Sequence, residues 1–209
     1  MTQPDAEFLK KAISETAWDF GNQVLYDMCS ANPDHKKDDI IIGKIWLIGR
    51  TYAAAIERRK TVDGASGDAF YEDEVAPKVR NSDIDKWFQA VRSGSAQDLA
   101  LHLETHARVM GLFTAISGLE KRSLASKYLH FHFPDRFYIY DSRAYRVISE
   151  LTEPVRKSLP PLKEYDDVYA RFFLRARDLR SQFASLLGRP LSLREFDKVL
   201  LARSLPPSR

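Results

Sequence analysis

Asp141 stands between Tyr140 and Ser142 in the stretch Phe137-Tyr-Ile-Tyr-Asp-Ser-Arg-Ala-Tyr-Arg146. The break at Pro134-Asp135 suggests that the chain returns there and opens a new helix near position 141. Asp141 then falls at the cap or first turn, where the helix dipole stabilises a carboxylate as the anion. An anion held in this way lowers the energy of positive charge building up on a reacting group beside it. Upstream, a glycine turn at Gly118 feeds a segment whose start carries Lys121, Arg122 and Ser123. Unpaired amides and two cations at a helix N-terminus suit a phosphate.

The elements that position these groups read as helices throughout. Residues 4–30 carry Phe8, Ile13, Trp18, Val24 and Leu25 at roughly helical spacing and stop at Asn32-Pro33. Residues 38–60 carry Ile41, Ile45, Ile48, Tyr52 and Ile56 three or four apart, the mark of a buried helix. Further helical patterns cover about 69–80, 83–92 and 96–115, with loops at 61–67 and 93–95. From Ile116 to Glu150 the order is turn, helix to about Phe133, break, and helix opening near Asp141. After a second break at 154–161 come a long helix over about 163–187 and, beyond Gly188-Arg-Pro190, a last helix that Ser192 and Glu195 can cap. No strand-like alternation persists and no repeat is visible, so the fold class expected is all-α.

The segment 116–150 resembles the helix-hairpin-helix DNA glycosylase superfamily, and more closely its 8-oxoguanine-glycosylase-like members: hairpin, helix, loop, then an aspartate followed by a helix with arginine. The resemblance implies two helical lobes with a cleft between them, in one compact unit spanning 1–209. It gives Asp141 the role of stabilising the sugar cation that develops as a base leaves, and sets Gly118, Lys121, Arg122, Ser123, Arg143 and Arg146 against the DNA backbone. Chemistry on a base requires it to leave the stack. Candidates for a stacking pocket are Trp46, Tyr52, Trp87, Tyr128 and Phe131. The segment departs from the family at the hairpin, where Gly118-Leu119-Glu120 replaces a Gly-x-Gly turn and Glu120 is unfavourable beside a phosphate. It departs again at the Schiff-base lysine of bifunctional members, a position that carries Arg122. Arginine stays protonated and cannot serve. Lys127, within an otherwise apolar stretch, is the lysine whose pKa burial could lower for amine chemistry; otherwise its stem packs and its ammonium reaches solvent.

The expected activity is therefore monofunctional cleavage of an N-glycosidic bond in double-stranded DNA, leaving an abasic site. The substrate is either oxidised guanine or a phage-type modified cytosine such as glucosylated 5-hydroxymethylcytosine, which implies base excision repair or antiviral defence. The alternatives are a non-catalytic helical DNA-binding module, which Glu120 and the displaced lysine favour, and a helical interaction protein. No cofactor or metal is expected.

Composition sets the bounds. With 209 residues, 44% of them hydrophobic, the chain can bury one full core or two small ones. No apolar run nears the roughly 18 residues of a membrane span, and the start Met-Thr-Gln-Pro-Asp-Ala-Glu lacks a signal-peptide pattern, so a cytoplasmic location is expected; a monomer is expected as well. The single cysteine, Cys29, excludes an internal disulfide and cysteine-based metal sites and reads as buried filler. A net charge of +3 permits a polyanionic partner without demanding one. His102 and His106 share a helix face but lack a third ligand, and read as solvated surface. His130 and His132 read as hydrogen-bonded histidines. Arg171, Arg175, Arg177 and Arg180 read either as a solvated face or as a surface for phosphates.

Overall fold

The computed structural model describes residues 4–58, 67–154 and 164–205, and every regular element among them is helical. In chain order these are α1 (Ala6–Ile13), α2 (Asp19–Ala31), α3 (Asp38–Thr51), α4 (Asp68–Phe70), a π-helical turn (Tyr71–Val75) running into α5 (Ala76–Arg80), α6 (Ile84–Ser93), α7 (Leu99–Ser117), α8 (Arg122–His132), α9 (Ser142–Leu151), α10 (Asp167–Leu187) and α11 (Leu193–Ser204).

Local chemistry sets the ends. Asp5, Asp98, Asp141, Asp166 and Ser192 each accept a backbone N–H of the first turn they precede, and Ser192 and Glu195 form a full capping box. Gly118 and Gly188 close α7 and α10 with φ of 70° and 67°, the left-handed conformation that glycine adopts without penalty. The first expected helix is two, α1 and α2, broken at 14–18, where Thr16 N–H bonds to the Asp19 carboxylate. The second ends at Thr51, well before residue 60. Ala53 takes a φ of 51° and the chain folds back over Gly49, whose missing side chain leaves room for the Ala55 backbone. Hydrophobic period alone does not show this reversal. The loop at 61–66, the break at 155–161 and the tail 206–209 lie outside the described residues.

Buried apolar residues form two clusters. One is built from α2 to α8, with Ile41, Ile45, Ile48, Phe88, Phe113, Tyr128 and Phe131 among its members. The other is built from α1, α9, α10 and α11, with Val147, Ile148, Tyr169, Phe172, Phe183 and Phe196, and is joined by Leu103 of α7. Cys29 is buried in the first. No helix among the described residues is long and apolar enough to cross a membrane.

His102 and His106 are buried rather than solvated, because α7 runs between the clusters. His106 stacks flat on Tyr169 at 3.5 Å. His130 and His132 are hydrogen-bonded. The Nδ1–H of His130 donates to Phe137 O (2.8 Å) and its Nε2 faces the Tyr26 hydroxyl (2.7 Å). Nδ1 of His132 donates to Tyr128 O (2.9 Å). A carbonyl only accepts, so both rings carry their proton on Nδ1 when neutral. His35 bridges Asp85 (2.6 Å) and Tyr128 (2.7 Å).

Burial holds the imidazoles of all five histidines below their ordinary range, His35 and His130 down to about 4 and His106 to about 3. In the unfolded chain each takes a proton near pH 6.5, so between that value and the folded values the unfolded state binds more protons. Stability is complete above about pH 6.5 and is lost as the pH falls. The urea midpoint should drop clearly between pH 7 and pH 5. A midpoint that stays level or rises would show that the imidazoles are not buried in this way.

Candidate active site

The N-terminus of α9 places Asp141. Its Oδ1 accepts the N–H groups of Arg143 (3.0 Å) and Ala144 (2.9 Å), which leaves Oδ2 to face α8. Across from it is Lys127, whose Nζ lies 3.6 Å from Oδ2. Lys127 also donates to Tyr52 O (3.0 Å) and Ser123 Oγ (3.0 Å) and stands 5.6 Å from the centre of the Tyr52 ring. The residue is only 2% exposed, whereas the Asp141 side chain keeps 26% of its surface open. Burial pulls the pKa of Lys127 down, against the upward pull of Asp141.

The reversal after α3 makes this arrangement possible. A helix continuing past Thr51 would bond the Tyr52 carbonyl internally; the turn at Ala53 frees it for Lys127. Lys121 uses the same segment, donating to Ala55 O (3.1 Å) and Arg58 O (2.7 Å).

Lys121 and Arg122, expected to meet phosphates, therefore turn inward. Lys121 is 7% exposed, and Nε of Arg122 binds both oxygens of Asp166 at 2.9 Å. Glu120, the departure noted in the hairpin, pairs with Arg122 at 2.6 Å. Gly118 serves as the helix stop and Ser123 as the Lys127 acceptor. Arg143 and Arg146 are exposed on α9, with Arg146 reaching Ser204 O (3.2 Å). Of the aromatics, Tyr52 borders Lys127. Tyr128 is fully buried with its hydroxyl on His35, so no base reaches it. Phe131 is buried beneath Tyr26 and Tyr52. Trp87 packs partly buried on the first cluster, and Trp46 is 44% exposed on α3. Each arginine of the run has a partner, Arg171 and Arg177 at the exposed surface. Arg171 pairs with Asp167 at 2.7 Å, Arg175 binds Thr152 O at 2.8 Å, Arg177 pairs with Asp178 at 3.4 Å and Arg180 binds Leu191 O at 2.7 Å.

The sequence pattern did not mark the contribution of α11. Asp197, 5% exposed, accepts from Arg194 at 2.6 Å and lies within the electrostatic reach of both Lys127 and Asp141. Burial pushes its carboxyl up to about 6; Arg194 opposes the rise and Asp141 adds to it. Lys198, the following residue, holds Asp19 of α2 at 2.8 Å, while Tyr52 donates its hydroxyl to Asn22 of α2. A carboxylic residue on the inner face of an amphipathic helix is the only signal the sequence carries for it. Polar groups from the end of α3, α8 and the start of α9 thus converge around one lysine and one carboxylate, which can stabilise a cation or supply an amine. No group of three or more potential metal ligands occurs among the described residues. No family model, curated protein or solved structure matches the chain.

Arg122 and Asp166 form a nearly buried bidentate pair, and Asp166 also caps α10 through Tyr169 N–H (2.8 Å). Asp166→Ala leaves the mostly buried guanidinium with only the exposed Glu120 as partner and removes the α10 cap, and should cost about 3 kcal/mol, read as a lower midpoint in urea. A loss under about 1 kcal/mol, the worth of an exposed pair, would contradict the burial of this pair.

Proposed function

We propose that the chain is a DNA glycosylase that excises a modified base, either glucosylated 5-hydroxymethylcytosine or oxidised guanine. In this proposal the duplex binds across a cleft between two helical lobes, one around each hydrophobic cluster, and the base is flipped into it. The observation that carries the reading is the Lys127–Asp141 pair, a buried amine 3.6 Å from a partly open carboxylate at a helix N-terminus. Breaking an N-glycosidic bond builds positive charge on deoxyribose, and a carboxylate beneath the sugar offsets it. The exposed side of Asp141 faces the sugar, Arg143 and Arg146 lie toward the backbone, and Tyr52 borders the base. Water is the nucleophile, because Arg122 stands where the resemblance sets the family's lysine and is locked to Asp166.

The position of Lys127 favours a second form of the same chemistry. An ammonium has no lone pair, and burial favours its loss of a proton. The free amine attacks sugar C1′, the base leaves with the bonding electrons, and ring opening gives an imine that borohydride reduces to a stable adduct.

Duplexes each carrying one modified base, incubated with the protein and then cleaved at abasic sites, test the activity. Wild type should cut the duplex holding its substrate, and Asp141→Asn should release base at least about a hundredfold more slowly while binding that duplex equally well. Full excision by Asp141→Asn would contradict the role of Asp141, and binding without cuts by wild type would favour a non-catalytic DNA-binding module. Borohydride separates the two forms: hydrolysis leaves no adduct, whereas amine attack gives one that disappears in Lys127→Gln.

A further inference from the structure

Ser123 has no part in the base-release chemistry above, yet it stands against the buried amine of the site. It is the second residue of α8 and Lys127 lies one turn on, so the two share a helix face. Helical side chains lean toward the N-terminus of their own helix, which carries the Lys127 stem back over Ser123. The result is a contact of 3.0 Å between Lys127 Nζ and Ser123 Oγ, with Nζ also held by Tyr52 O at 3.0 Å and Asp141 Oδ2 at 3.6 Å. Lys127 is 2% exposed, whereas Ser123 is only half-buried and Asp141 keeps an open side. A partly open serine, a buried amine within hydrogen-bond distance and a third group holding that amine are the parts of an activated nucleophile.

We propose that Ser123 and Lys127 form a serine–lysine dyad that cleaves neutral esters by acyl transfer, an activity separate from base release. The Lys127 amine, in its free form, takes the Ser123 hydroxyl proton as Oγ bonds to the carbonyl carbon, and the carbonyl π pair moves onto its oxygen. When that pair returns, the bond to the ester oxygen breaks; the leaving alcohol takes the bonding electrons and receives the proton from the Lys127 ammonium. Water then repeats the steps on the acyl-serine. Its proton passes to Lys127, the carboxylic acid is released, and the proton returns to Ser123 Oγ. Negative charge on the carbonyl oxygen develops beside the N-terminus of α8, an 11-residue helix whose first turn has no side-chain cap. The transient ammonium is met by Asp141 and the Tyr52 carbonyl. Burial lowers the pKa of Lys127 and so favours the free amine; Asp141 and Asp197 pull the other way, and Arg143 adds to the fall. The open carboxylate of Asp141 repels an anionic acyl group, which selects a neutral ester.

The test treats the intact protein with an alkyl fluorophosphonate, which adds to an activated serine with loss of fluoride, and locates the label by peptide mass spectrometry. Hydrolysis of p-nitrophenyl acetate is followed in parallel. Wild type should take up the phosphonyl group on Ser123 and lose its ester hydrolysis as it does so. Ser123→Ala should lose both, and Lys127→Gln should react at least about a hundredfold more slowly. Lys127→Arg, which keeps donors at this position but cannot take up a proton, should be as slow. Thermal melts identify the variants that fold. A serine that serves only to satisfy the ammonium gives a lower melting temperature in Ser123→Ala and no label in wild type, which would overturn the proposal. Label on Ser123 that forms as fast in a folded lysine variant as in wild type would overturn it too. No DNA enters this experiment, so its failure leaves the glycosylase reading standing, and a failure to release bases leaves the dyad standing.

Discussion

The structure turns on the burial of one ammonium. Taking Lys127 out of water costs several kcal/mol unless its three protons find acceptors. They meet a hydroxyl one turn back on α8, a carbonyl at the end of α3 and a carboxylate at the start of α9. Each acceptor exists because of a separate feature of the chain: Ser123 because α8 has begun by then, the Tyr52 carbonyl because the chain reverses at Ala53, and Asp141 because it caps α9. The same contact therefore orders the helix ends and builds the site. Replacing Lys127 by an apolar residue would remove an expensive charge but leave its three acceptors unpaired.

Several cations are used inside the molecule. Lys44 donates to Asn32 O and Asp34 O, Lys121 to two carbonyls after α3, Arg122 to Asp166, and Arg175 to the carbonyls that end α9. Lys44, Lys121 and Arg175 do for backbone carbonyls what capping residues do elsewhere. Any polyanion that binds must meet the remaining exposed cations, Arg143 and Arg146 among them, so a net charge of +3 says little about where.

The sequence made the helices legible where capping and turn residues marked them. Ser192 and Glu195, Gly188, and the Asp141 cap all appear as their chemistry suggests. The break between α1 and α2 and the early end of α3 were hidden, because apolar spacing runs through both and the events that interrupt it are an Asp19 side-chain bond and a positive φ at an alanine. Asp141 and Lys127 could be picked out by type, but their approach depends on the meeting of α8 and α9. The buried Arg194–Asp197 pair could not be found, since nothing short of packing shows that α11 turns Asp197 inward. His102 and His106 failed for the same reason: a polar pair at helical spacing looks solvated until α10 covers it.

The central claim is that Asp141 faces a sugar on which positive charge develops. Its most direct test is the affinity of the protein for duplexes carrying abasic-site analogues, one a cationic pyrrolidine and the other a neutral tetrahydrofuran. Wild type should bind the cationic analogue about a hundredfold more tightly, and Asp141→Asn should lose the preference. Equal affinity of wild type for the two analogues would contradict it.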